Sequence, residues 1–144
     1  NFTWEALSGA QEALNGIYEH ASEFSEVHKY ADIEFAREFT DAVRQDLNMP
    51  KALSVLFDLL RSNLSKPVKA ATLFKMDEIL GLKIKENSKL LNDIPENVQK
   101  MIEERKSLRR QKKFVQADHM RNKIEKMGYI VKDEDKETKI LRKI

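Results

Sequence analysis

Apolar residues recur along this chain every three or four positions, in six blocks set apart by Pro, Gly or polar breaks. Thr3 is a candidate N-cap with Glu5 in the first turn, and Trp4, Leu7, Leu14, Ile17, Ala21 and Phe24 then share one helical face. Gly9 and Gly16 interrupt that face without breaking it; either a neighbouring helix approaches closely there, or they are surface glycines. After a polar break, Asp32 can cap a second helix with Phe35, Ala36, Phe39 and Val43 on its face, ending near Asp46. Asn48-Met49-Pro50 starts a third, carrying Leu53, Leu56, Phe57, Leu60 and Leu64. Pro67 opens a fourth with Ala71, Leu73, Phe74, Met76, Ile79 and Leu80, and Gly81 is placed to close it in the left-handed conformation. Four such helices on short links predict an antiparallel four-helix bundle over residues 1–82.

Residues 83–94 are polar and lack a period, which reads as a linker. Pro95 opens a fifth helix with Val98, Met101, Ile102 and Leu108 facing inward, and the sixth carries Phe114, Ala117, Met120, Ile124 and Met127 before Gly128 stops it. Tyr129-Ile130-Val131 and Thr138-Lys139-Ile140-Leu141 are short β-prone runs around a charged turn, Asp133-Glu134-Asp135-Lys136-Glu137. The predicted fold is mainly α: the bundle, then a small helical hairpin with a short β-hairpin, residues 95–144 forming an α/β module.

Composition changes this picture little. Hydrophobic residues make up 41% and charged residues 35%, which suits amphipathic helices and excludes intrinsic disorder. No apolar run reaches the ~20 residues of a membrane span, and the cytosol is the default compartment. The absence of cysteine excludes disulfides and thiolate zinc sites in this chain. The opening Asn1-Phe2-Thr3-Trp4, without an initiator Met, is expected of a piece of something longer. Charge is more telling. Residues 1–94 hold 11 Lys+Arg against 15 Asp+Glu, whereas residues 95–144 hold 15 against 9. A basic end on an acidic body is the asymmetry expected when one end meets a polyanion.

Catalytic constellations are missing: the four glycines stand far apart, and His20, His28 and His119 share no metal-ligand spacing. The turn between the fifth and sixth helices stands out instead. Arg105, Lys106, Arg109, Arg110, Lys112 and Lys113 put six cations within nine residues, and Arg105, Arg109 and Lys112/Lys113 fall on one helical face. Most such runs are solvated surfaces. This one sits at a corner with Phe114 just beyond, and cations can track a phosphate backbone while an aromatic face stacks an unpaired base. Phe114 equally fits the core stripe of its helix, so both readings stand. Asp118 and Arg121, three apart, form either a weak surface pair or a unit in which Asp118 accepts from a base edge while Arg121 orients it.

These residues carry a resemblance. Phe2-Thr3-Trp4-Glu5-Ala6-Leu7, Asp46-Leu47-Asn48-Met49-Pro50-Lys51-Ala52-Leu53, Leu80-Gly81-Leu82, the stretch from Arg105 to Arg121 and Gly128-Tyr129-Ile130-Val131-Lys132-Asp133 follow one another in the order and spacing of a known pattern. The chain resembles the C-terminal region of bacterial-type cysteinyl-tRNA synthetases, class I aminoacyl-tRNA synthetases, over essentially all 144 residues. The resemblance implies a DALR-type bundle that meets the tRNA core and anticodon stem, and a C-terminal module that reads the anticodon loop. It places Arg109, Phe114, Asp118, Arg121 and Asp133 among the anticodon-binding residues, with Phe114 stacking a loop base and Asp118 and Asp133 accepting from base edges. Arg105, Arg110, Lys112 and Lys113 would hold the tRNA backbone. It further implies a monomer working with its own upstream catalytic domain. That domain would carry the HIGH and KMSKS signatures, ATP and a thiol-selecting zinc, all absent here, so the chain alone is expected to be inactive.

Three positions depart from the pattern. Met49 stands where Thr is usual, removing a side-chain cap acceptor; Lys113 replaces a common Asp before the aromatic; and Glu137-Thr138-Lys139-Ile140 takes the place of a Gly-Thr-x-Trp turn. Two other readings fit the same chain: a helical protein-interaction module with a basic turn, and the matching domain of a related cysteine ligase that uses no tRNA.

Overall fold

Each of the first three helices starts where the sequence supplies an acceptor for the free N–H groups of a first turn. The computed structural model describes residues 2–133 and 138–142. Helix α1 (Trp4–Ser22) is capped by Thr3, whose Oγ1 accepts from the Ala6 amide at 3.1 Å. Asp32 accepts from the Phe35 amide at 3.0 Å at the head of α2 (Ile33–Arg44). Asn48 does the same for α3 (Met49–Arg61), accepting from the Lys51 amide at 3.2 Å. The Met at position 49 therefore leaves no vacancy at this helix start, contrary to expectation, because the preceding residue provides the cap. Helix α4 (Lys66–Leu80) has Pro67 in its first turn and ends on Gly81 at φ +66°, the left-handed C′ residue predicted for it.

Contacts divide the chain into two units, residues 1–88 and 89–144. In the first, α2, α3 and α4 pack on one another. Phe39 and Ala42 of α2, Leu56 and Leu59 of α3 and Leu73 and Met76 of α4 are all but fully buried. Helix α1 joins through its C-terminal half alone. Ile17, Tyr18 and Ala21 are buried, and the Tyr18 hydroxyl donates to the Leu82 carbonyl at 2.9 Å. Trp4 and Leu7, expected on the buried face, lie in water, Trp4 at 75% exposure. Among the described residues nothing buries the first turns of α1. Instead the Phe2 and Trp4 rings meet edge to face, 5.5 Å between centroids.

The stretch read as an aperiodic linker holds a further helix, α5 (Ile84–Leu91). Its buried positions are Ile84, Ser88 and Leu91, spaced i, i+4 and i+7. A serine in the middle of the stripe hides the period. Asp77 latches the entry to this helix: its two carboxylate oxygens accept from the Leu82 amide at 2.8 Å and the Ile84 amide at 2.6 Å. The division between the units falls inside α5.

The second unit contains α6 (Glu96–Arg110), α7 (Phe114–Lys126) and the strands β1 (Tyr129–Asp133) and β2 (Thr138–Arg142). The strands pair antiparallel with Tyr129 opposite Arg142 and Asp133 opposite Thr138. The expected charged turn at residues 134–137 lies outside the described residues. Val98 and Ile102 of α6, Ile124 of α7, and Tyr129 and Val131 of β1 make the core, with Met101, Met120 and Ile140 against it. Replacing Asp77 by Ala should destabilise the first unit by about 1.5–3 kcal/mol, as expected for losing hydrogen bonds to a charged acceptor. Urea unfolding followed by circular dichroism measures this, and an unchanged midpoint would deny Asp77 that role.

Candidate nucleic-acid interface

Two periodicities converge on one carboxylate. On α6 the inward stripe runs Val98, Ile102, Arg105, Arg109, so the apolar row ends in two arginines. On β1 alternate residues face the core, and the row Tyr129, Val131 ends in Asp133. The two rows meet at their polar ends. Arg105 donates from Nη1 to Asp133 Oδ1 at 2.9 Å and from Nη2 to Oδ2 at 2.7 Å, a bidentate pair. Arg109 Nη1 donates to Oδ2 at 2.6 Å, and Thr138, opposite in the strand register, donates its hydroxyl to Oδ1 at 3.2 Å. Arg121 Nη1 lies 4.0 Å from Oδ2. Asp133 thus ties together α6, β1 and β2 and faces a third arginine on α7.

Burial differs sharply within this cluster. The Arg105 side chain is 1% exposed, Asp133 31% and Arg109 44%. Hydrogen bonding from Arg105, opposed by partial burial and helped by the charges of Arg105 and Arg109 and the Thr138 bond, holds the Asp133 carboxyl far below the usual carboxylate range. Arg105 cannot present its charge to a phosphate, which corrects its assignment to the tRNA backbone. Its place on the apolar stripe, three residues after Ile102, sets it and Arg109 apart from the other cations, and of those two Arg105 alone is buried.

The corner itself is a tight helix end. Lys112 donates its amide to the Arg109 carbonyl at 3.0 Å, and Lys113 donates to the Leu108 carbonyl at 2.9 Å. Lys112 sits at φ +58°, a left-handed position where glycine is usual. Arg110, Lys112 and Lys113 are exposed. No side chain caps α7, as expected from a Lys in place of Asp at 113, and its first turn has no acid. Arginines at the end of α6 suit its dipole; lysines at the head of α7 oppose it, and an anion there would be welcomed by both charge and free N–H groups.

Phe114 opens α7 at 56% exposure, outside the core stripe it could have joined, and Val115 beside it is 85% exposed. Ala117 and Ile124 hold the inward face. Phe114, Asp118, Arg121 and Glu125 follow at i, i+4, i+7 and i+11, one stripe that is exposed at Phe114 and Asp118 and half-buried at Arg121 and Glu125. Asp118 is exposed and has no hydrogen-bond partner among the described residues. Arg121 feels its charge but does not hydrogen-bond to it. Arg121 donates from Nε to Glu125 Oε1 at 2.8 Å, so the expected i, i+3 pair is replaced by an i, i+4 pair one turn further on. Glu125 and Thr138 join the site without a motif to mark them; position alone is their signal, the first four residues beyond Arg121 and the second opposite Asp133 in the hairpin.

The described residues contain no cluster of three His, Cys, Asp or Glu able to hold a metal. No described helix is long and apolar enough to cross a membrane.

Residues 91–140 match the family model of the cysteinyl-tRNA ligase anticodon binding domain, and residues 38–85 match that of the DALR domain. The class is therefore the anticodon-binding region of an aminoacyl-tRNA ligase. The chain is 38% identical over 133 residues to cysteine–tRNA ligase 1 of Burkholderia lata, covering 92% of this chain and 28% of that protein. It is 34% identical over 140 residues to the cysteine–tRNA ligase of Finegoldia magna, covering 90% of this chain and 29% of that one. The chain belongs to the cysteinyl-tRNA ligase family and spans under a third of the length of these relatives.

Replacing Asp133 by Asn leaves Arg105 as an uncompensated buried charge. The expected loss is toward the lower end of the about 3–5 kcal/mol typical of breaking a buried pair, because Asp133 keeps contact with water. Since the folded carboxyl is more acidic than the unfolded one at 3.8, its contribution is complete above that pH and declines as pH falls below it. Urea unfolding between pH 6 and pH 2 should show the native chain losing this share and Asp133→Asn showing no such decline.

Proposed function

We propose that this chain is the tRNA-binding part of a cysteine–tRNA ligase, with its second unit reading the anticodon loop. One observation carries the reading: an exposed ring, Phe114, heads a helix between four accessible cations and an exposed carboxylate, Asp118, in a member of this family. Arg109, Arg110, Lys112 and Lys113 take the phosphates of the bend, Phe114 stacks an unpaired base, and Asp118 accepts from a base edge bearing N–H donors. Residues 1–82 hold the tRNA core and anticodon stem, and residues 95–144 the loop. ATP-dependent attachment of cysteine, with its zinc, belongs to a catalytic part of the protein outside this chain. The protein acts in the cytosol as a monomer.

The 144-residue chain should bind the cysteine-accepting tRNA with log Kd rising with log salt by ~0.7–0.9 per phosphate contacted. Phe114→Ala should weaken binding by about 1–3 kcal/mol while leaving the unfolding midpoint in place. Equal binding of a tRNA with a scrambled anticodon loop would remove the reading role, and indifference between tRNA and other polyanions would point to a protein-interaction module instead.

Lys112→Gly should move stability and binding in opposite directions. Relief of the left-handed Lys stabilises the second unit by about 1 kcal/mol. Loss of one cation weakens tRNA binding and lowers the salt slope by ~0.7–0.9. Thermal unfolding and a salt titration on the same variant check both halves.

A further inference from the structure

Asp133 is the second acid that the family resemblance assigns to base recognition, and its surroundings argue for a different task. A carboxylate offers about four lone-pair sites. Here Oδ1 accepts from Arg105 and Thr138, and Oδ2 from Arg105 and Arg109, so all four are taken. Displacing Arg105 in favour of a base would strand a guanidinium that is 1% exposed, and whose Nε already lacks a partner. That exchange is unfavourable, because an unpaired buried charge is among the most destabilising things a fold can hold. Arg109 and Arg121 differ. Each is more than two-fifths exposed, and each has N–H groups that face away from its carboxylate partner.

Resting on the proposed function, we infer that Asp133 is a positioning residue: clamped by buried Arg105, it fixes the guanidinium of Arg109, and by charge that of Arg121, so that their free N–H edges meet the anticodon loop already oriented. Asp133 itself does not touch a base. Arg105 is the foundation of the clamp, Thr138 its second brace, and Glu125 holds Arg121 from the other side through Nε. A guanidinium held at one edge loses less conformational freedom on binding than a free one. Asp118, exposed and without a hydrogen-bond partner among the described residues, is left as the acceptor.

A double-variant cycle on the 144-residue chain tests this with a synthetic anticodon stem–loop of the cysteine-accepting tRNA and three variants, each with one anticodon base changed. Asp133→Asn and Arg109→Gln should each weaken the native stem–loop about tenfold or more, the range of a charge-assisted hydrogen bond. The doubly changed chain should be no weaker than the worse single. Multiplying losses, or discrimination at one base collapsing in Asp133→Asn but surviving in Arg109→Gln, would make Asp133 a direct reader and overturn the inference. Should Asp133→Asn fail to fold, Arg105→Met with Asp133→Leu removes clamp and buried charge together and should keep the fold. That pair must lose stem–loop affinity as Arg109→Gln does; native affinity in it overturns the inference.

A second readout needs no RNA. In the native chain the Arg109 Nη resonances should be resolved by slow rotation about Nε–Cζ, and Asp133→Asn should average them. No change in those resonances overturns the clamp. Resolved resonances in a chain that binds scrambled and native loops alike would support the clamp and overturn the anticodon reading.

Discussion

A guanidinium with 1% of its surface in water is tolerable only because a carboxylate meets both its Nη groups. The second unit is built around that requirement. Arg105 is carried to the spot by the same helical stripe that buries Val98 and Ile102, and Asp133 by the same strand alternation that buries Tyr129 and Val131. The hydrophobic core and the ion pair are therefore one register. A one-residue slip of β1 would turn Tyr129 and Val131 outward and remove the acid from Arg105 at once. Such a pair adds little net stability over an apolar equivalent, but it penalises every misregistered alternative. It also sits where the core gives way to the cationic corner, so the demand that closes the hairpin also orders the exposed arginines.

The legible part of this structure was the part written in period and punctuation. Caps at Thr3, Asp32 and Asn48 and the stop at Gly81 follow from side-chain acceptors and a left-handed glycine, both local properties. The β-hairpin strands followed from two β-prone runs. What escaped depended on partners distant in sequence. Helix α5 was hidden because Ser88 occupies a buried position, and a polar residue there breaks the apolar count without breaking the helix. Trp4 was misplaced because periodicity says which residues share a face, not whether anything covers it.

The interface was legible by residue type and less so by role. A ring, one acid and a run of cations were visible at the hairpin corner, Asp133 entered only through the resemblance, and the choice between a packed and an exposed Phe114 needed coordinates. Arg105 and Arg109 look alike in sequence, four residues apart on one face. One ends inside the fold with both Nη groups on Asp133, and the other at its surface with one. The acids differ likewise: Asp133 is the last inward residue of β1, while Asp118 stands exposed on α7. Charge counting treats the members of each pair as equal, and packing does not.

The exposed start of α1 has a consequence for how this molecule can be observed. Its only tryptophan is Trp4, already three-quarters in water, with the Phe2 ring against it edge to face. Indole emission is therefore silent about melting of either core, and a chain with a collapsed second unit would glow like an intact one. Tyr129, buried in that unit, and the backbone amides are the native reporters of whether the arginine clamp is closed.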